Sequence, residues 1–111
     1  LVDGALPAKG KVGSDVPAED AKGLARVAAL NALAAAAAQA GGLDSLSRVV
    51  HVTVFVSSAP DFTGQAAVAN GASEILGEIF GEAGRHSRSA VGVAVLPLDT
   101  PVEVEVQFAT V

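Results

Sequence analysis

The sequence predicts a single α+β domain in which a mixed β-sheet carries two helices on one face. Three observations predict it. Two segments have helical spacing and three have strand composition, and they follow in the order helix, strand, helix, strand, strand. A chain of 111 residues fits one domain, 1–111, large enough to bury roughly two-thirds of its unfolded surface. Half of the residues are hydrophobic and the mean hydropathy is +0.48, which rules out intrinsic disorder. With only 17% charged residues there is little charge to cover a monomer, so part of the surface is expected to be hidden in an oligomer.

The elements are justified in order. Leu1–Asp15 holds three glycines, a proline and two lysines without a lasting period, and reads as a loop after a strand ending near Val2. The chain opens on Leu1 rather than Met, so residues are expected to precede it. Ser14 or Asp15 can cap a helix, with Pro17 in its first turn and Glu19 and Asp20 at its positive end. Leu24, Val27, Ala28, Asn31, Ala34 and Ala35 give that helix its spacing. The Ala34–Ala38 run has the highest helix propensity, and Gly41-Gly42 ends it.

Arg48–Ser58, rich in Val, reads as a central strand. Val50, Val52, Val54 and Val56 are expected on one face, with His51, Thr53 and Phe55 on the other. Pro60-Asp61 turns the chain into a second helix from about Phe62 to Glu82. Its apolar stripe is Val68, Ala72, Ile75, Leu76, Ile79 and Phe80, and Gly84 is its C′ glycine. Ser89–Leu96 is the next strand. Val102–Val111 alternates most clearly, with Val102, Val104, Val106 and Phe108 opposite Glu103, Glu105 and Gln107. The helices can cover the valine face. The face carrying His51, Thr53, Phe55 and the two glutamates is half apolar and half acidic, which suits a wet surface between subunits.

The composition excludes several function classes. A net charge of −5 with seven basic residues argues against a nucleic-acid partner, which needs a basic footprint. Without cysteine there is no disulfide, thiolate zinc site or thiol nucleophile, and the cytoplasm is the default compartment. Arg26, Asn31 and Gln39 interrupt the Ala-rich stretch, so no membrane span is expected, and no signal peptide is visible. Two histidines without ligand spacing give no metal site. Gly81 and Gly84 follow a helix rather than precede one, so they form no phosphate loop. Ser73 and Ser89 lack a nucleophile-elbow context.

Four side chains could carry chemistry. Arg88 stands just before an apolar strand, where its guanidinium fork could clamp a carboxylate, or could simply be solvated. Glu103 shares a strand face with Glu105, and like charges two residues apart can make one a base that orients water. A plain solvent-facing alternation explains the same pattern. His51 could be a general acid or a packed side chain, and His86 sits in a Gly/Ser/Arg loop that reads as surface.

The segment Arg88–Glu105, RSAVGVAVLPLDTPVEVE, resembles the C-terminal signature of the RidA (YjgF-like) family. The resemblance extends through Arg48–Val56, Asp61-Phe62 and Asn70-Gly71-Ala72-Ser73, and back to Gly13 and the helix Asp20–Leu33. Asn70 through Ser73, followed by Phe80 through His86, resembles a branch distinct from the best-known deaminases. The resemblance implies a chorismate-mutase-like fold assembled as a homotrimer with clefts between subunits. By that likeness Arg88 matches the arginine that holds the substrate carboxylate. Glu103, fifteen positions on, matches the glutamate that positions or activates water. Ala90 falls where well-known members have Cys and would line the pocket, while Asn70 matches a structural helix asparagine. The pocket tyrosine of the family has no counterpart, since the chain contains no tyrosine.

The implied reaction is hydrolysis of enamines and imines of the 2-aminoacrylate/2-iminopropanoate type to a 2-oxo acid and ammonia, without metal or other cofactor. Two alternatives stand beside it: a trimeric protein that binds a small carboxylate without turnover, and the endoribonuclease L-PSP label that some family members bear. Neither nucleic acid nor membrane is an expected partner. With no Tyr or Trp for base stacking, RNA is a poor fit.

Overall fold

The computed structural model describes residues 5–111, so the strand expected to end near Val2 lies outside the described residues. Three strands form one sheet: β1 (Leu46–Ser57), β2 (Ser87–Val93) and β3 (Val102–Thr110), in the order β2-β1-β3. β1 is central, as its two-sided apolar character predicts, pairing parallel with β2 and antiparallel with β3. Two helices, α1 (Ala18–Ala40) and α2 (Gln65–Phe80), lie on one face. A parallel neighbour cannot be reached by a tight turn, and α2 is the crossover between β1 and β2.

The core is the helix face of the sheet against the two helices. Val49, Val52, Val54 and Val56 are fully buried there. Val49 takes the place expected for Val50. Val49 pairs with Phe108 but His51 with Gln107, so Val50 is the extra residue of a bulge and the alternation restarts after it. On β3, Val102, Val104 and Val106 share the helix face, and Phe108 reaches Phe80 of α2 with ring centroids 5.9 Å apart.

α1 buries Ala21, Ala25, Ala29 and Leu33 rather than the expected stripe, of which Asn31, Ala34 and Ala35 are exposed. The spacing is helical in both readings; in so uniform a run of alanines, periodicity does not tell which alanines face in. Pro17, not Ser14 or Asp15, is the N-cap residue, and it offers no side-chain acceptor. The Asp15 carboxylate instead accepts from the Lys11 N–H at 3.0 Å, closing the turn before the helix. Gly41 ends α1 as expected, at φ 94°, where its N–H reaches the Ala37 carbonyl. By length and composition alone α1 could cross a bilayer. In this fold its first half is tied to α2 by Lys22–Glu74 and Arg26–Glu78 ion pairs at 3.4 and 3.1 Å.

α2 starts at Gln65, three residues later than expected, because Phe62 belongs to the turn that folds back on Ala59. It is capped by Gly81, and Gly84 instead sits buried in the short 3₁₀ turn that follows. Ile79 is on the exposed side, while Ala69 and Gly71 join the buried face. At Gly71 the two helices touch backbone to backbone: a Cβ there would lie far inside van der Waals contact distance of the Lys22 carbonyl oxygen. Val12, within the predicted loop, is fully buried, its backbone bridging Ser57 and Ala59 at 2.7 and 2.9 Å. The loop before β3 carries two consecutive non-glycine residues at positive φ, Leu98 and Asp99.

Because the atoms opposing Gly71 are backbone, neither helix can yield locally. Gly71→Ala is expected to lower unfolding free energy by about 1–3 kcal/mol, the usual range for overpacking a filled interior. Urea titration followed by circular dichroism, beside the open-space control Gly77→Ala, measures it.

Candidate functional site

The register sorts the predicted site residues by face. Val52 pairs with Arg88, Val54 with Ala90 and Val56 with Gly92, so these three β2 residues lie on the helix face. Arg88 is therefore the second residue of β2 rather than the residue before it. His51, Thr53 and Phe55 pair with Ser87, Ser89 and Val91 on one side. On the other they pair with Gln107, Glu105 and Glu103. The opposite face is thus the half-polar, half-apolar surface that the sequence predicts, and Val91 on it is 41% exposed.

Arg88 meets α2. Asn70 and Ser73, three apart on one helix face, flank the buried stripe and overhang the edge strand. The Arg88 Nη1 donates to Asn70 Oδ1 at 2.7 Å and to Ser73 Oγ at 3.4 Å. Ser73 Oγ also lies 2.9 Å from His86 Nε2, and His86 Nδ1 is 2.6 Å from the Gly84 carbonyl oxygen. Among the described residues the ion pairs are Lys22–Glu74, Arg26–Glu78 and Arg85–Glu82, none of which involves Arg88. Arg88 is exposed, oriented by neutral acceptors, and its positive charge is uncompensated. Such a group favours an anion with two oxygens in a plane.

Ala90 lies two residues along the same face, half-buried against the core. Glu103 does not join them. It stands exposed on β3, across β1 from β2 and on the opposite face. It borders a groove of about 450 Å³ shared with Leu98, Asn31 and Ala32. Two strand spacings separate the edges, roughly 10 Å, and the two side chains point away from each other. One chain therefore does not bring Arg88 and Glu103 together. His51 is held by Ser87 at 2.6 Å on the far face. Among the described residues no three His, Cys, Asp or Glu side chains cluster as a metal site would require.

Ser73 and His86 carry no motif that marks them as site residues in the sequence. The signal was the Asn70–Ser73 spacing on α2, which predicts one helix face, but the tie to His86 depends on the turn after α2.

The family model described as "YjgF/chorismate mutase-like, putative endoribonuclease" matches residues 1–110. The chain belongs to this YjgF family. A curated relative, Protein TCP17 of Trypanosoma cruzi, is 45% identical over 97 residues, which are 86% of this chain and 61% of that protein. The chain thus spans less than two-thirds of that relative's length. The crystal structure of a protein of unknown function from Agrobacterium tumefaciens superposes with a TM-score of 0.96 at 38% identity, over 99% of this chain and 71% of the other. The crystal structure of Escherichia coli TdcF with bound serine matches with a TM-score of 0.52 at 29% identity, over 88% and 69%. The two helices on a mixed sheet are the YjgF/chorismate-mutase-like fold that the sequence resemblance implies.

Asn70→Asp tests the uncompensated charge. The new carboxylate would pair with Arg88 where the amide oxygen now sits, and would compete with any anion. The variant is expected to keep its thermal midpoint within a few degrees at low salt and to lose more of it than wild type at high salt, where the new ion pair is screened, measured by calorimetry.

Proposed function

We propose that this YjgF-family chain hydrolyses reactive enamines and imines of the 2-aminoacrylate/2-iminopropanoate type to 2-oxo acids and ammonia. The observation that carries this reading is Arg88, pinned by Asn70 and Ser73 with its charge unpaired. A guanidinium so held suits the carboxylate of a small 2-imino acid. The serine bound in the Escherichia coli relative is a carboxylate of the same size.

In this reading Glu103 accepts a proton from water, and the hydroxide adds to the imine carbon. The resulting carbinolamine collapses to the 2-oxo acid as the nitrogen, protonated, departs as ammonia. The protonated imine is already electrophilic, so the protein contributes mainly orientation and one general base. Arg88 and Glu103 occupy opposite edges and faces of one sheet. One substrate can meet both only where two copies of the chain abut. That requirement supports an assembly with its sites at subunit boundaries, for which the family likeness implies a homotrimer. The half-apolar face around Phe55 and Val91 is a surface such assembly would cover.

A second reading, binding of a small carboxylate without turnover, is favoured by one fact: the Arg88 cluster is complete within a single chain. Glu103 discriminates between the two. Pyruvate release from freshly generated 2-iminopropanoate is expected to accelerate with wild type and to fall to the uncatalysed rate with Arg88→Ala. Glu103→Gln is expected to keep pyruvate affinity within about threefold and lose turnover by about 10²-fold or more. Unchanged turnover in Glu103→Gln would remove its catalytic role.

Light scattering after size exclusion is expected to give about three times the 10.9 kDa chain mass. A monomer that still accelerates the reaction would sink the shared cleft.

A further inference from the structure

We propose that Ser73 and His86 are positioning residues for Arg88, fixing the guanidinium in one orientation while leaving its charge free for a ligand. The inference rests on reading Arg88 as a carboxylate clamp.

The direction of each hydrogen bond follows from the chemistry of the atoms. The Gly84 carbonyl oxygen can only accept, so the His86 Nδ1 at 2.6 Å carries the proton and donates. In the neutral imidazole Nε2 is then an acceptor, and the Ser73 hydroxyl, 2.9 Å away, donates to it. The single hydroxyl proton is thereby committed, and Ser73 Oγ turns a lone pair toward Arg88 Nη1 at 3.4 Å. Asn70 Oδ1 receives the same Nη1 at 2.7 Å. The two N–H bonds of one guanidinium nitrogen are thus held from two positions on α2, which leaves Nε and Nη2 for a ligand.

The anchor of this relay is rigid. Gly84 is buried, and a Cβ on it would come within 2.6 Å of the Leu76 carbonyl oxygen, so the turn lies flat on the end of α2. His86 therefore starts from a fixed carbonyl rather than a free loop. Neutrality is the functional point. A carboxylate in place of Ser73 would orient Arg88 as well but would occupy the charge the ligand needs. A backbone carbonyl, an imidazole and a hydroxyl pass orientation along, and the Asn70 amide holds the same nitrogen directly, all without neutralising the charge.

The test reads Arg88 directly. In protein labelled with ¹⁵N-arginine, the Arg88 side-chain signals are assigned by their loss in Arg88→Lys. Wild type is expected to show a distinct, slowly rotating Nη1 group. Ser73→Ala and His86→Ala are each expected to average it with Nη2, and Ser73→Thr is expected to restore it. Titration with pyruvate is expected to weaken about threefold to tenfold in Ser73→Ala, the worth of one hydrogen bond, and to recover in Ser73→Thr. An unchanged Nη1 signal in either alanine variant overturns the role of that residue. Wild type that shows the slow Nη1 group yet binds no pyruvate overturns the carboxylate reading instead, and the signals of the variants still decide the positioning.

Discussion

Parallel pairing of β1 with β2 is the constraint on which the rest of the molecule depends. A parallel neighbour demands a crossover, and a crossover of this length folds as a helix lying on the sheet. α2 is therefore delivered across the same face from which Arg88 projects. Its buried stripe, Val68, Ala69, Ala72 and Leu76, docks on the valines of β1. Asn70 and Ser73, next to that stripe, are carried over the edge strand as a consequence. The arginine is oriented by the element that also closes the core.

Much of this architecture is legible in the sequence, for physical reasons that differ by element. β3 announces itself because one face is buried and the other wet, so its polarity alternates with the pleat. β1 is legible as a central strand because both of its faces are largely apolar. The bulge at Val50 is not, because an extra residue of the same type leaves no mark in a valine run. The buried side of α1 is hidden for a similar reason: alanine tolerates burial and exposure almost equally, so Ala21, Ala25 and Ala29 look no different from Ala34 and Ala35. Val12 leaves no signal in the sequence because a lone valine among glycines and lysines has no period, yet its backbone bonds Ser57 and Ala59.

At the site, residue types were readable and proximity was not. Arg88 and Glu103 stand out in sequence because each interrupts or borders an apolar strand. Which face each occupies depends on register across β1, and a shift of one residue would exchange the faces. Arg88 shares its face with α2 and Glu103 does not. Ser73 and His86 were hidden further, since their relation to Arg88 needs the helix, the turn and the strand together. The relay is a tertiary property spread over sixteen residues of chain, from Ser73 to Arg88.

The alanine stripe of α1 has a consequence for how the two layers are held apart. Alanine has no side-chain rotamers to lose, so docking this helix costs almost no side-chain entropy. It also removes little apolar area from water at each contact, so the attraction it supplies is correspondingly shallow. The spacing between α1 and its neighbours is set by backbone approach instead of by interdigitating side chains. A layer built in this way behaves like a flat bearing: it has few teeth to fix one register, and two ion pairs to α2, Lys22–Glu74 and Arg26–Glu78, to resist sliding.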